Sequence, residues 1–188
     1  MVSSLTLYTA LIALVGVERL VELYLSKRNA RRAFARGAAE HGRGHYRVMA
    51  AFHTLFLVSC VAEAWLSGRA FPGALGWAAL VGSTLAQALR YWAIATLGDR
   101  WNTRVIVLPN APPVTGGPYR FVRHPNYLAV IVEVALLPLV HGGWVTALAF
   151  SLGNAALLWV RVRAEEAALG ARYAAVFHQH RRFIPEVR

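Results

Sequence analysis

Cysteine is nearly absent from this chain, with Cys60 the only one among 188 residues. One thiol cannot form an intrachain disulfide or a cysteine-based zinc site. Cys60 lies inside an apolar run, where a cysteine usually behaves as a small buried hydrophobic residue. Two histidines spaced eight residues apart, His45 and His53, are also a poor metal-ligand pattern. We therefore expect neither a disulfide framework nor a metal site.

Charged residues are scarce as well. They make up 15% of the chain, against 57% hydrophobic residues, and such a balance excludes an ordinary soluble domain. Acidic residues are the rarest charged class, so the net charge is +11. The basic residues lie between apolar runs, as they do in membrane-flanking loops, and no nucleic-acid-reading module is present. The composition predicts an integral membrane protein that does not bind nucleic acid.

Long apolar runs dominate what is present. A helix needs about 20 residues to cross a bilayer, and the runs are residues 5–25, 48–66, 75–95, 127–140 and 144–160. The fourth run is short, and Pro138 with the His141-Gly142-Gly143 turn predicts a tight hairpin between it and the fifth. The sequence predicts an all-α polytopic membrane protein with about five transmembrane helices. Four spans with a re-entrant fourth segment remain an alternative.

No internal repeat or low-complexity linker divides the chain, so residues 1–188 are expected to form a single membrane-embedded domain. Within it, residues 1–97 hold three N-terminal spans and residues 98–126 a cytoplasmic loop rich in glycine and proline. Residues 127–160 form the helical hairpin, and residues 161–188 form a C-terminal segment expected to begin as a helix. A connection as long as 98–126 is more often functional than idle.

Lysine and arginine predict the orientation. They concentrate between the first two spans, in residues 98–126 and after residue 160, whereas the other connections hold only Arg69. The positive-inside rule then places the N-terminus outside and the C-terminus in the cytoplasm. The first run lacks the basic start and the small-residue cleavage site of a signal peptide, so we expect it to be retained as a span. The composition, rich in Ala, Arg, Val and Leu, is typical of a high-GC bacterium, which points to the inner membrane.

The loop ends in a polar, irregular stretch, residues 116–127, directly before an apolar run. Such a stretch beside a bilayer is tolerated only where it packs in protein or lines a cavity. Paired glycines, Gly116 and Gly117, allow the backbone to approach a ligand closely. His124-Pro125 then fixes the chain before the fourth helix. We interpret this stretch as a candidate binding site, with a plain connection as the alternative.

A second cluster lies at the cytoplasmic end of the fifth span. On a helix, Arg161 and Glu165 are four residues apart and share a face, while Arg163 and Glu166 are three apart on a neighbouring face. The cluster is either a helix end carrying ion pairs or part of a reacting centre.

These stretches resemble a known family. Residues 117–127 match the GPYxxxRHPxY signature of the isoprenylcysteine carboxyl methyltransferase family and its phospholipid methyltransferase relatives, small membrane enzymes that use S-adenosylmethionine. Arg161 and Glu166 resemble the family's Arg-x4-Glu element, Glu165 completes its acidic pair, and Tyr173 with residues 181–185 resembles its closing pattern. The resemblance covers roughly residues 85–186. The helix after Glu166 is a few residues shorter than is usual there.

The resemblance implies roles for individual residues. Arg161 and Glu166 would form the catalytic centre, and S-adenosylmethionine would be bound by Gly117, Pro118, Tyr119, His124, Pro125, Tyr127 and Glu165. In methyl transfer from a sulfonium donor, the protein mainly aligns the reactants and excludes water. An arginine can hold an anionic nucleophile, so a carboxylate acceptor needs no strong base. A phenol or enol acceptor would need one, for which Glu166 or His124 is the candidate.

Several ionisable residues fall inside the apolar runs. Such groups usually face a bundle interior or a watery cavity and pair with each other. Glu18 and Glu22 share a helical face and are expected to meet Arg90 across the bundle. They are either structural or part of a substrate chamber. The candidate substrate-binding residues are Glu18, Glu22, His53 and Arg90.

A cavity between membrane helices favours a lipophilic small-molecule acceptor drawn from the bilayer lipid. The N-terminal third, with residues 18–22, 26–30 and 45–49, resembles a bacterial branch of the family often associated with type III polyketide synthases. Members of that branch are thought to O-methylate long-chain alkylpyrones or alkylresorcinol-derived quinols. The alternatives are methylation of an isoprenylcysteine carboxylate or a phospholipid amine, an NADPH-dependent membrane reductase, and a transporter. The sequence leaves the oligomeric state open.

Overall fold

The computed structural model describes residues 3–184, apart from the side chains of Arg43 and His45. Pro185, the last residue of the predicted closing pattern, lies outside the described residues, as does Arg188.

Helices form nearly all of the regular structure. They are α1 (Ser4–Ala35), α2 (Arg43–Ser67), α3 (Ala74–Leu97), α4 (Pro125–Leu136) and α5 (Trp144–Val176), with short 3₁₀ helices at Gly98–Arg100, Gly117–Arg120 and Pro138–His141. A short turn joins α4 to α5, because Gly142 takes a left-handed conformation (φ 71°) directly after the third 3₁₀ helix and α5 begins at Trp144. The all-α membrane fold is thus confirmed at the level of its helices.

Within residues 3–184, three helices are long and apolar enough to cross a membrane: α1, the Tyr46–Ser67 part of α2, and α5. Residues 125–141 form a shorter apolar helix. α3 contains the polar side chains Gln87 and Arg90 and is not among these candidates. The protein is therefore an integral membrane protein with three candidate spans, and five transmembrane helices stay a prediction.

The helix surfaces match a lipid environment. Large apolar side chains point outward along the bundle, including Leu20, Leu85, Leu148 and Trp159. So much exposed apolar surface is unfavourable in water and is suited to acyl chains. The inner side packs around Phe56, Cys60, Val134 and Leu137, each no more than 2% exposed. Cys60 is a small buried side chain, as its position in an apolar run predicts.

A small sheet corrects the purely helical expectation. Strand β1 (Ala39–His41) pairs antiparallel with β2 (Val105–Val107), and Glu40 lies opposite Ile106. Strands of three residues are too short to show an alternating pattern in sequence. The sheet joins the α1–α2 connection to the α3–α4 connection, so both lie at the same end of the bundle.

Residues 177–183, which follow α5, contact the α3–α4 connection at that same end. The backbone N–H groups of Arg123 and His124 donate to the carbonyls of Arg181 and Arg182 at 3.1 and 3.2 Å. Phe177 is fully buried. The three basic segments therefore lie together, as the positive-inside count requires, while the compartment they face stays a prediction.

Candidate active site

One large cavity runs along the inside of the bundle. Its volume is about 990 Å³, at the upper end of the range for small-molecule sites. α1, α2, the α3–α4 connection, the start of α4 and the C-terminal part of α5 form its walls. Both motif stretches singled out in the sequence contribute to it.

Arg161 is the central charged group of this cavity. It is 6% exposed, its Nε donates to the Tyr127 hydroxyl at 2.7 Å, and its Nη2 donates to the Thr103 carbonyl at 2.6 Å. The Tyr127 hydroxyl in turn donates to the Glu165 carboxylate. Arg161 and Glu165 do share a face, as their spacing predicts, but Tyr127 bridges them.

Arg161 also keeps hydrogen-bonding capacity. The neighbour of its Nη1 is the Met49 sulfur at 3.7 Å, which is a weak acceptor. A guanidinium has five N–H groups in a fixed planar fork. An oxygen anion in the cavity can therefore bind Arg161 without displacing its bonds to Tyr127 and Thr103.

Glu166 faces a different group of residues. Its Oε1 accepts a bond from His124 Nε2 at 3.1 Å, and its two oxygens accept bonds from Arg182 Nε and Nη2 at 3.0 and 2.6 Å. The bond to Glu166 raises the pKa of Arg182. Glu166 is not among the residues that line the cavity. Because these donors stabilise the charged carboxylate, the geometry favours a positioning role over the base role that the sequence suggested.

Arg163 points elsewhere. Its guanidinium lies 4.1 Å from the centroid of the Trp159 ring, and the side chain is exposed. It makes a cation–π contact at the helix surface.

The turn residues of the motif mainly shape the loop. Gly117 has φ 54°, and a Cβ there would come within 2.3 Å of the Thr96 hydroxyl on α3. Pro118 is the second residue of the Gly117–Arg120 3₁₀ helix and Pro125 begins α4, and both are buried. None of these three residues is among those lining the cavity. The close approach that Gly117 permits is to α3, whereas the expectation from sequence was an approach to a ligand.

The other motif residues do line the cavity. Tyr119 and His124 are 8% and 4% exposed, and Tyr127 lies beside them. The ring centroids of His124 and Tyr127 are 5.4 Å apart. Burial raises the pKa of the Tyr119 phenol, so this side chain stays protonated.

Buried charges on α1 and α3 also line the cavity. Glu22 contacts Arg19 at 3.1 Å and Arg90 at 3.5 Å, and Arg90 also pairs with Glu133. The expected Glu22–Arg90 contact is confirmed. Glu18 does not meet Arg90, because its carboxylate accepts a bond from Gln87 and lies 3.8 Å from Arg19.

Three of the four candidate substrate-binding residues line the cavity. Glu22, Arg90 and His53 line the cavity, and His53 Nδ1 lies 2.8 Å from the Met49 carbonyl oxygen. Glu18 is not among the lining residues.

Sequence reasoning missed several wall residues. Met49, Thr103 and Asn126 line the cavity, and so does much of residues 99–114. Asn126 is at the variable position of the 117–127 signature, and Met49 is a nonpolar helix residue, so neither was distinguished by its chemistry. For residues 99–114 the available signal was the length of the connection.

Comparison with known proteins agrees with the motifs. The model of the isoprenylcysteine carboxyl methyltransferase family matches residues 78–171, half of the chain. The chain belongs to this family. The matched region runs from α3 to just past Gly170 in α5, so it contains residues 117–127, Arg161 and both glutamates. The family implies a membrane-associated methyltransferase that uses S-adenosylmethionine.

Two relatives cover most of the chain. It is 41% identical over 165 residues to the uncharacterized protein YpbQ of Bacillus subtilis, an alignment that covers 87% of this chain and 96% of the relative. It is 28% identical over 154 residues to an uncharacterized protein of Haemophilus influenzae, covering 80% and 88%. Neither name carries an activity, so the relatives support the extent of the family resemblance and leave the substrate open.

The cavity wall fits the donor that the family uses. Tyr119, Tyr127 and Tyr173 provide aromatic rings that can stabilise a sulfonium cation. Glu165 can accept bonds from an amino group or ribose hydroxyls. The Asn126 Oδ1 is buried and has no partner among the residues that the structure describes, which is typical of a position that a ligand satisfies.

Proposed function

We propose that this protein is an S-adenosylmethionine-dependent O-methyltransferase that acts on a lipophilic small molecule through a carboxylate, phenol or enol oxygen. The observation that carries this proposal is the continuity of the 990 Å³ cavity. Its walls include the family motif residues and Arg161, and it continues to residues on the lipid-facing side of α1 and α2.

Tyr119, His124, Asn126, Tyr127 and Glu165 are the residues that would hold the donor. When bound, S-adenosylmethionine supplies a methyl group on a sulfonium sulfur, and transfer to oxygen leaves a neutral thioether. The buried aromatic side chains exclude water from the wall they form. Water exclusion strengthens the electrostatic interactions inside the site.

Arg161 is positioned to hold the acceptor oxygen. Its bonds to Tyr127 and Thr103 fix the plane of the guanidinium, and its Nη1 remains for the acceptor. A charge-assisted bond from a fixed guanidinium stabilises and aligns an oxygen anion.

A phenol or enol acceptor must lose its proton before or during transfer. Glu165 lines the cavity and is linked through Tyr127 to Arg161, so we assign the proton acceptor to Glu165. Glu166 is assigned a positioning role, because it holds His124 and Arg182. This differs from the role that the family resemblance implied for Glu166.

The acceptor would reach the site from the bilayer. Leu20 on α1 and Val58 on α2 line the cavity and are 66% and 58% exposed, so the wall here is also part of the lipid-facing surface. An opening between α1 and α2 suits an acceptor with a long apolar tail. Together with the N-terminal resemblance, this favours an alkylpyrone or alkylresorcinol-type acceptor associated with a type III polyketide synthase over an isoprenylcysteine or a phospholipid.

The direct test is transfer of labelled methyl by the purified protein in lipid. The parallel acceptors are an alkylpyrone, an alkylresorcinol, a farnesylated cysteine and phosphatidylethanolamine. Label in either polyketide-type lipid is the expected result. Label confined to farnesylcysteine or phosphatidylethanolamine would overturn the acceptor class, and no donor binding together with no transfer would overturn the methyltransferase function.

A matched pair of variants tests the role of Arg161. Arg161→Ala should lower kcat by about 10²-fold or more, because it removes the cation that holds the acceptor oxygen. Arg163→Ala, two residues away on the helix surface, should leave kcat nearly unchanged. His124→Ala should mainly weaken donor binding, measured with labelled S-adenosylmethionine. If Arg161→Ala weakened donor binding and His124→Ala lowered only kcat, the two roles would be exchanged.

A further inference from the structure

The cavity does not end at Arg161. It continues to the buried charged cluster, where Arg19, Glu22 and Arg90 are wall residues. Glu22 and Arg90 are 5% and 6% exposed. With Glu133, and with Glu18 3.8 Å from Arg19, the cluster contains two cations and three anions. Each cation already pairs with at least two carboxylates, so the cluster is better suited to a neutral polar group than to an anion.

The cluster has hydrogen-bonding capacity that its members do not use. Within the described part of the chain, Arg19 Nε, Arg90 Nε and Glu22 Oε1 are buried without a hydrogen-bond partner. Buried polar atoms normally find a partner, and those that do not commonly indicate a missing water, ion or ligand. This cluster therefore contains both donor N–H groups and an acceptor oxygen that no described residue bonds.

His53 adds a lone pair next to this cluster. The Met49 carbonyl 2.8 Å from His53 Nδ1 can only accept, so Nδ1 carries the proton. In the neutral ring Nε2 is then an acceptor. Among residues 3–184, no hydrogen bond to this nitrogen is formed. A hydroxyl in the cavity can donate to it.

Met49 relates these polar groups to Arg161. It contacts Arg161 through its sulfur and His53 through its carbonyl. His53 lies one helical turn beyond Met49 on α2, a rise of about 6 Å along the helix. We therefore place His53 and Arg161 against one acceptor molecule.

Resting on the proposed function, we infer that the part of the cavity lined by Arg19, Glu22, Arg90 and His53 is a hydroxyl-binding subsite for the methyl acceptor. The acceptor carries a second hydroxyl that donates to His53 Nε2 and accepts a bond from Arg19 or Arg90. Its reacting oxygen lies at Arg161. Its apolar tail leaves between α1 and α2. A site that bonds a hydroxyl rejects an analogue without it, because its own polar groups would stay unpaired.

The test compares a 5-alkylresorcinol with the 3-alkylphenol of the same chain length, which lacks only the second hydroxyl. Equilibrium binding to the purified wild-type protein in nanodiscs is measured without donor, followed by methyl transfer. We expect the resorcinol to bind about 10-fold more tightly. His53→Leu should bring the ratio of the two affinities, resorcinol over phenol, close to one. His53→Gln, which keeps an acceptor, should restore part of this preference.

Glu22→Gln and Glu18→Gln are a matched pair on α1. The first changes a wall residue and should reduce the affinity ratio, whereas the second lies off the wall, keeps its polar contacts with Gln87 and Arg19, and should reduce the ratio less. An equal affinity of the wild type for both lipids, binding of neither, or an unchanged ratio in His53→Leu would overturn the subsite. Equal methyl transfer to both lipids would overturn it while leaving the methyltransferase function intact. A preserved binding preference without transfer to any acceptor would overturn the function and keep the subsite.

Discussion

At the scale of single residues, the two adjacent glutamates on α5 have different surroundings. Glu165 lines the cavity and accepts a bond from Tyr127, whereas Glu166 is held by His124 and Arg182. Successive residues on a helix point in different directions, so neighbouring carboxylates do not share one environment. Glu165 is available to a ligand. Glu166 links the motif loop, residues 116–127, to residues 177–183.

This division predicts different effects of two conservative changes. Glu165→Gln should lower kcat toward a phenolic acceptor while leaving the unfolding temperature nearly unchanged. Glu166→Gln should lower the unfolding temperature and weaken donor binding, because it loosens His124 and Arg182. In a double-mutant cycle with Arg182→Gln, the coupling free energy should fall in the range of about 0.5–3 kcal/mol found for contacting residues. Thermal unfolding in detergent and steady-state kinetics provide the measurements.

One result would contradict the positioning role of Glu166. If Glu166→Gln removed activity without changing stability or donor affinity, Glu166 would be the reacting base.

The sequence singled out residues that the fold brings to one cavity, while the role of each one stays a prediction. Arg161, His124 and Tyr127 were identified from their motifs, and all three line the cavity. The partners of Glu166 were not predictable, because Arg182 and His124 approach it from distant parts of the chain. Contacts between elements depend on packing, which local patterns do not encode.

At the scale of elements, the turn at Gly117 sets how the motif loop meets α3. Its φ of 54° is unfavourable for any residue with a side chain, and a Cβ would also collide with Thr96. Tyr119 and His124 follow within a few residues, so a displaced turn would move both.

Gly117→Ala should therefore destabilise the protein by about 1 kcal/mol or more and weaken donor binding. Thr96→Ala in the same chain should restore part of the loss, since it removes the hydroxyl that the new Cβ meets and leaves the backbone strain and a 3.1 Å contact with Trp92 Nε1. Gly116→Ala is the matched control, because nothing lies within 4 Å of a Cβ there. Equal effects of the two glycine changes on the unfolding temperature would show that the turn is not sterically constrained.

The C-terminal part of α5 also departs from the sequence expectation. Gly170 has φ 73° and ψ −168°, so the helix kinks there before continuing to Val176. The kink precedes Tyr173, whose hydroxyl donates to the Arg123 carbonyl at 3.3 Å. The short helix noted after Glu166 is thus a helix interrupted by glycine. Hydropathy predicted where the apolar helices lie, but not the polar extension of α1 to Ala35 or the β1–β2 pairing, because these depend on contacts between loops.

At the scale of the whole molecule, three basic segments meet at one end of the bundle: the α1–α2 connection, the α3–α4 connection and residues 177–183. Arg69 lies at the other end, where it contacts Glu63 at 2.9 Å. The arrangement fits a single orientation across the membrane.

Cysteine labelling can check this orientation, because Cys60 is the only native thiol and is buried. In a Cys60→Ala background, Ala35→Cys and Thr115→Cys should both be protected from an impermeant maleimide in intact bacteria and react after lysis. Ala70→Cys should react in intact cells. A difference between positions 35 and 115 would contradict the shared end, and the reverse pattern would invert the predicted orientation.

The cavity bounded by Leu20 and Val58 on one side and by the motif loop on the other borders two solvents. For a methyltransferase built this way, the two reactants do not share a common concentration scale. The donor is counted in moles per litre of water, and the acceptor in mole fraction of the lipid. Diluting the acceptor with inert lipid at constant bulk concentration would slow the reaction, whereas diluting the aqueous suspension at fixed donor concentration would leave the acceptor's occupancy of the site unchanged.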